Sequence, residues 1–228
     1  MGTNGEIALG NKDKILVAST AAGPAFEGGN ITAGMGSIPG AIKSVEIQDQ
    51  EIQTQTIQGL PPIGICGSGV VELTAELKKM NFMDETGLLI DKYFEEGVKL
   101  ATGPLGEDII FTQKDVRELQ MAKAAIRAGL EVLIKRYSLQ LEALDKIFLA
   151  GGLGHSLNID KAIRIGLLPE VARQKVVPVG NTSLKGAVSA LRDENFLKST
   201  ESIIEHTRVI QLGRDEDFNT LYMENMYF

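Results

Sequence analysis

The strongest constraint on the fold lies between residues 146 and 191, where short apolar runs alternate with helix-forming stretches. Residues 146–150 read as a strand, and Gly151, Gly152, Leu153 and Gly154 follow at once. A helix is predicted at about 160–166 and a second strand at 175–179. Asn181, Thr182 and Ser183 then offer caps for a helix running to about Leu191. Strands alternating with helices need crossover connections, so the pattern predicts βαβ units, a parallel sheet and an α/β fold.

Composition narrows the function classes. A chain of 228 residues with 43% hydrophobic and 23% charged residues buries a core of ordinary size. The net charge is −7 and no cluster of lysine or arginine tracks a phosphate backbone, which argues against nucleic acid as a partner. No apolar run approaches the roughly 20 residues that span a bilayer, and no signal segment follows Met1, so no membrane partner and a cytoplasmic location are expected. The single cysteine excludes an internal disulfide framework, and also an iron–sulfur cluster held by this chain alone. Two histidines and one cysteine make no zinc spacing, and no metal ligands are assigned.

The chain opens on turn chemistry at Gly2, Thr3, Asn4, Gly5 and Glu6, and residues 6–10 then read as a strand. Asn11, Lys12 and Asp13 form a polar turn, and residues 14–19 return as the second strand of a hairpin. A glycine-rich opening of this kind predicts residues upstream, that is, one lobe of a larger protein. Residues 21–42 are small and glycine-rich, strand-like segments follow at 44–57, and residues 63–69 lead into a helix with Val70, Val71, Leu73, Leu77 and Met80 apolar. Residues 84–108 are expected to form an irregular surface excursion, within an insertion at about 30–110. The clearest helix starts after Thr112, a good N-cap with Asp115 placed three residues on, and runs to about Tyr137. Its apolar positions Val116, Leu119, Ile126, Leu130, Leu133 and Ile134 read as core. Ala122, Ala124, Ala125, Ala128 and Gly129 make it thin-sided, which lets another backbone come close. An edge strand is expected at 209–212.

Two glycine loops sit at the ends of predicted strands, where open α/β sheets bind ligands. The first, Gly2, Thr3, Asn4 and Gly5 with Glu6, offers successive backbone N–H groups and two side-chain donors to an anionic oxygen. The second, Gly151, Gly152 and Gly154, leaves backbone bare for a flat adenine or ribose. Neither matches the phosphate loop ending in Lys-Ser or Lys-Thr, and an ordinary structural turn is the competing explanation for each. Glu6 and Glu27 are the carboxylates of interest, each in a glycine-rich block; Glu6 is the one to position water or magnesium, against a solvated loop acid as the alternative for each. Cys66 is expected to be a small residue packed at a helix start, Asp115 a helix-start charge, and Lys123 a solvated lysine, although it is long enough to reach a phosphate. His155 follows the second loop and is either a ribose or phosphate contact or an ordinary loop residue; His206 is expected at the surface.

Four blocks occur in order: Gly2-Thr3-Asn4-Gly5-Glu6, Ala21-Ala22-Gly23-Pro24-Ala25-Phe26-Glu27-Gly28, Gly64-Ile65-Cys66-Gly67-Ser68-Gly69 and Leu149-Ala150-Gly151-Gly152-Leu153-Gly154. Thr112-Gln113 with Asp115, and Ala122-Lys123-Ala124-Ala125-Ile126 with Ala128-Gly129, precede the last of them. So ordered, from Gly2 to about Leu191, the chain closely resembles the carboxy-terminal domain of the reductive activators of corrinoid-dependent proteins. These are ATPases of the acetate and sugar kinase, heat-shock chaperone and actin superfamily.

The resemblance implies an actin-like, ribonuclease-H-like α/β ATPase lobe: a mixed sheet flanked by helices, with an irregular insertion. It implies ATP with magnesium as cofactor and a corrinoid (B12) protein as partner. It also implies an iron–sulfur cluster elsewhere in the parent, whose electron returns cob(II)amide to cob(I)amide. On this chain Gly2, Thr3, Asn4 and Gly5 resemble the second phosphate hairpin, with Glu6 as its catalytic carboxylate. Gly151, Gly152 and Gly154 resemble the adenosine motif, and residues 122–129 the helix connecting two lobes. The aspartate that normally precedes the hairpin glycine is replaced by Met1, and the first phosphate hairpin, first connecting helix and ferredoxin domain have no counterpart in the chain. One lobe of two implies weak nucleotide binding and negligible hydrolysis by the chain alone. Two other functions stay open: a corrinoid-protein docking module without nucleotide, and a small-molecule kinase lobe of the same superfamily.

Overall fold

The computed structural model describes residues 2–228, with the side chains of His155 and Glu194 also outside the description. The chain opens on an antiparallel hairpin, β1 (Asn4–Gly10) and β2 (Ile15–Ala21), in register from Asn4 opposite Ala21 to Gly10 opposite Ile15. Asn11 makes the turn, its Oδ1 accepting the N–H groups of Asp13 and Lys14 at 2.9 and 3.1 Å. After a 3-10 turn at Pro24–Glu27 comes a second hairpin, β3 (Ala41–Gln48) and β4 (Glu51–Thr56). Asp49 and Gln50 join these strands with φ of 48° and 67°, the paired positive values of a two-residue turn that follows the strand twist. A short β5 (Gly64–Ile65) lies parallel to β3 and feeds α1 (Gly67–Lys79).

Next come α2 (Asp91–Phe94), the antiparallel pair β6 (Val98–Thr102) and β7 (Asp108–Phe111), and the long helix α3 (Gln113–Tyr137). The remainder alternates: β8 (Ile147–Ala150), α4 (Gly152–Ser156), α5 (Ile159–Arg164), α6 (Ala172–Lys175), β9 (Val176–Gly180), α7 (Thr182–Arg192) and α8 (Glu194–Glu205). The last elements are β10 (Thr207–Val209) and α9 (Phe218–Glu224). Strands β8 and β9 pair in parallel, as the crossover pattern requires. Sheets β1-β2-β10 and β4-β3-β5 each combine an antiparallel and a parallel pairing, so the fold is mixed α/β with helices against its sheets.

Helix α3 is the spine. Thr112 and Asp115 close a capping box at its start, and Ser138 ends it in the left-handed conformation. Val116, Leu119, Ala122 and Ile126 serve one apolar cluster, with α1, β3 and β7. Val132, Leu133 and Ile134 serve a second, with Leu9, Leu16 and Leu212. Each large apolar side chain so buried contributes about 1.5–3 kcal/mol. The thin side of the helix lies against β2: a Cβ added to Gly129 would overlap the Thr20 methyl group. No helix is long and apolar enough to cross a membrane among the described residues.

Three expectations need correction. The strand expected from Glu6 starts two residues earlier: Asn4 and Gly5 belong to β1 and not to a turn, because they ladder with Ala21 and Thr20. Residues 84–108 are not a mere surface excursion, since Val98, Leu100, Ile109 and Phe111 of the β6–β7 pair are buried in the main cluster. The edge strand near residue 209 sits slightly earlier, pairing Thr207, Arg208 and Val209 with Ile15, Leu16 and Val17.

Candidate functional site

The first glycine loop is built by strand alternation. Gly5 faces inward against α3, where an added Cβ would stand 2.7 Å from Thr20 Oγ1 and 3.0 Å from Ile126 Cγ1, so no larger residue fits. Asn4 and Glu6 therefore point to the open face. Glu6 is exposed and accepts a long hydrogen bond from Ser19 Oγ at 3.5 Å. Thr3 donates its hydroxyl to Glu27 Oε2 at 2.6 Å, and its carbonyl accepts the N–H of Gly23 at 2.9 Å. Those two bonds pin the 21–28 block to the loop. A Cβ at Gly2 would lie 2.7 Å from Glu27 Oε1, so this carboxylate also covers Gly2. Thr3, expected as a donor to an anion, is thus engaged by an acid. A phosphate entering here would meet Glu27, a geometry that suits a cation or ordered water between the two better than direct contact.

The second loop stands at the carboxyl ends of β8 and β9, where two parallel strands open a crevice. Gly151 has φ of 96° and donates its N–H to Gly180 O at 2.9 Å; Gly180, with φ of 69°, is the matching residue at the end of β9. An added Cβ at Gly152 would meet nothing within 4 Å, so its backbone faces open space. Gly154 packs back on Leu149, whose Cβ lies 3.1 Å from the position of an added Cβ. Asn181, just past Gly180, caps α7 through Oδ1 to the Leu184 N–H at 2.9 Å. The bare backbone at 151–152 can accept a flat group. The side chain of His155, expected to be either a ribose or phosphate contact or an ordinary loop residue, lies outside the described residues, as does Met1. Among the described residues no hydrogen bond links the two glycine loops.

Other residues settle into structural places. Cys66 is 1% exposed at the start of α1, its thiol 3.4 Å from Ile42 O. Asp115 is fully buried and does more than cap. Its Oδ1 accepts the Thr32 N–H and hydroxyl at 2.7 and 3.0 Å, and its Oδ2 the Thr112 N–H at 2.7 Å. His206 is exposed, with Nδ1 2.6 Å from Ser202 O. Lys123 is not solvated, because residues 225–228 cover it. At 1% exposure it donates to Asn225 O at 2.7 Å and to Tyr227 O.

Sequence reasoning missed the Glu72, Glu76 and Lys161 cluster altogether. Lys161 Nζ donates to Glu72 Oε2 at 2.9 Å and to Val45 O at 2.6 Å, and it lies 3.4 Å from Glu76 Oε1. Burial pushes the Glu76 carboxyl up, but the Lys79 hydrogen bond and the Lys161 charge outweigh it and hold the group below the usual carboxylate range. Two acids four residues apart on the apolar side of α1 were the available signal. Gly180 was missed too, as a lone glycine after a strand.

With this geometry the comparisons with known proteins agree. A family model described as the C-terminal domain of RACo, the ASKHA domain, matches residues 1–228. The chain is 38% identical over 247 aligned residues to the corrinoid activation enzyme RamQ of Eubacterium limosum, covering 100% of the chain and 42% of that protein. It is 33% identical over 248 aligned residues to the Co(II) methylated amine-specific corrinoid protein reductase of Methanosarcina barkeri, covering 97% of the chain and 44% of that protein. A solved structure of a reductive activator for corrinoid,iron-sulfur protein superposes with a TM-score of 0.93 at 38% identity, over 100% of this chain and 38% of that one. The chain therefore spans less than half the length of each of these relatives.

Proposed function

The chain belongs to the family of C-terminal ASKHA domains of RACo, and on that premise we propose that it is the ATP-binding lobe of a reductive activator that returns a cob(II)amide corrinoid protein to cob(I)amide in the cytoplasm. The observation that carries the nucleotide assignment is the bare backbone at Gly151 and Gly152, opposite Gly180, at the carboxyl ends of a parallel strand pair. The corrinoid assignment draws on the relatives, which are a corrinoid activation enzyme, a corrinoid protein reductase and a reductive activator.

ATP, when bound, supplies the free energy for an uphill electron transfer. In this lobe Gly151, Gly152 and Gly154 hold the adenosine. The exposed side chain of Asn4 would be the donor left for a phosphate at this loop, and Gly5 keeps β1 tight against α3 so that the loop stays in place. Glu27, oriented by Thr3, and Glu6, oriented by Ser19, are the carboxylates that would meet magnesium or a water at this loop. The electron comes from an iron–sulfur centre outside this chain, whose one cysteine is buried.

The test is the thermal midpoint of the chain with and without magnesium-ATP or ADP, for the wild type and Gly152→Asp. A ligand at about 100 times its Kd adds about 2.7 kcal/mol, and each kcal/mol is worth roughly 2–4 °C for a chain of this size. The expected outcome is a rise that Gly152→Asp abolishes, because a carboxylate then occupies the open space, with negligible ATP turnover by either protein. An unchanged midpoint at millimolar nucleotide, repeated on the full-length parent, removes nucleotide binding from this lobe and leaves the docking module standing; a rise in the parent alone makes the other lobe indispensable for binding.

A further inference from the structure

One flank of α3 carries polar side chains at helical spacing, and they hold the segment 215–228. Arg136 grips Asp215 through hydrogen bonds of 2.7 and 2.9 Å and reaches Asp217 at 2.9 Å, while Lys135 meets Asp217 at 2.6 Å. One turn back, Glu131 accepts from Asn225 Nδ2 at 3.0 Å and is steadied by Arg127 at 2.6 Å. Lys123 then donates to the carbonyls of Asn225 and Tyr227, with the Phe228 ring centroid 4.9 Å from its Nζ. Gln120 donates to Met226 O at 2.8 Å and to Thr86 O at 2.9 Å, and the Phe228 N–H reaches Glu85 O at 2.8 Å. At a rise of about 1.5 Å per residue, these contacts run about 24 Å along the helix.

The character of this hold is unusual for a terminal segment of a core helix contact. No residue of α9 is buried, and the innermost anchors read main-chain carbonyls through side chains of α3. Lys123 is buried without a carboxylate partner among the described residues. The charged groups around it are Lys78 of α1 and Arg127 of α3, with Glu85 of the 84–88 loop facing Lys78. Leu212, in contrast, is anchored in the second apolar cluster and marks a fixed point before the segment. Phe218 and Leu221 pack against that second cluster and Phe228 against the first, each only partly buried. The remaining attachment is polar and reads carbonyls, and such a half-exposed hold beyond a fixed apolar anchor has the profile of a unit that opens locally. The opposite flank of α3 supports the first glycine loop, through Ile126 against Gly5 and Gly129 against Thr20.

We propose that residues 215–228 form a strap that opens from α3 as a unit while the rest of the fold stays closed, with Lys123 as its latch. Closure strips water from the lysine; opening restores it. Burial, with the Lys78 and Arg127 charges adding to it, pushes the Lys123 amine down to about 7 in the closed state. Opening therefore takes up a proton between about pH 7 and the ordinary lysine value, and the strap closes more tightly as pH rises through that window.

Amide exchange tests the unit. Leu221, Asn225, Met226 and Phe228 donate to Asp217 O, Leu221 O, Met223 O and Glu85 O, and their exchange at pH 7 is compared with that of the β1–β2 hairpin. Expected for the wild type is faster exchange in the strap than in the hairpin. Lys123→Met should accelerate the strap amides at least about tenfold and leave the hairpin within about twofold. Strap and hairpin moving together, or a strap indifferent to the substitution, overturns the proposal. If Lys123→Met does not fold, Gln120→Met, which removes the donor to Met226 O, gives the same comparison.

The latch has its own readout. The chain contains no tryptophan, so Phe228→Trp places a single probe over the lysine. Acrylamide quenching of that probe should fall between about pH 7 and 10 and stay flat when Lys123→Met is added. A flat profile in both proteins removes Lys123 as the latch.

Discussion

Asp115 shows how one carboxylate can serve two segments. One of its acceptor bonds, from the Thr112 N–H, joins the Asp115 N–H donated to Thr112 Oγ1 in completing the start of α3, and two more acceptor bonds fix Thr32, which lies 83 residues away in sequence. Its role at the helix start was legible from Thr112 and the three-residue spacing, because capping is local chemistry. The Thr32 contact was not legible, because nothing local announces a partner so distant. Asp115→Ala should cost about 1–3 kcal/mol, since it takes the acceptor from the partly buried hydrogen bonds of the Thr32 and Thr112 N–H groups. Urea unfolding checks this, and a loss below about 1 kcal/mol would mean that water replaces the carboxylate. Lys123 is the opposite case: its neighbours in sequence predict a solvated lysine, and only residues 225–228, a hundred residues on, bury it.

At the scale of elements, close approach decides more than propensity does. Gly129→Ala would ordinarily stabilise a helix interior by about 1 kcal/mol. Here the added methyl overlaps Thr20 Cγ2. Overpacking of that kind costs about 1–3 kcal/mol, so the net change should be a loss, read as a lower urea midpoint. A raised midpoint would show that β2 yields to the helix. Between α1 and α5 the deciding group is Lys161. Lys161→Met should cost about 3–5 kcal/mol at pH 7, because Glu72 and Glu76 lose their buried counter-charge. In the wild type the depressed Glu76 contributes stability above its unfolded pKa that is lost as pH falls through the lower folded value. The variant keeps the Lys79 hydrogen bond but loses the Lys161 charge, so that dependence weakens and the gap between the two proteins should narrow from pH 7 to pH 4. A gap constant over that range would acquit the carboxylates.

Much of the element order was legible: the hairpin turn at Asn11, the capped helix from Thr112 and the β8 to α7 alternation each announce themselves in neighbouring residues. The β6–β7 pair was not. Its strands have five and four residues, and what makes them strands is burial against a core assembled elsewhere. The site divides the same way. Glycines at strand ends could be marked from sequence, while the pairing of Gly151 with Gly180 and of Thr3 with Glu27 depends on chain brought in from 24 or more residues away.

For the molecule as a whole, α3 contributes to both apolar clusters, and Ile147 packs against each. Neither cluster can lose its packing without exposing part of the same helix. Calorimetry should therefore give one cooperative transition with equal calorimetric and van't Hoff enthalpies, the strap excepted because it is anchored by polar contacts. Two resolved transitions would mean that the clusters melt separately.

The sheet order β1-β2-β10 also has a bearing on synthesis. Strand β2 is covered on one side within a few residues, by the hairpin, but its other edge waits for Thr207, Arg208 and Val209. Some 190 residues separate the two strands, which at about 5–20 residues per second leaves roughly 10–40 s of translation with a row of unpaired N–H and C=O groups on offer. The nascent chain thus carries an aggregation-competent edge throughout that interval, and its yield in a cell should depend on whatever shields the edge of β2 until β10 emerges.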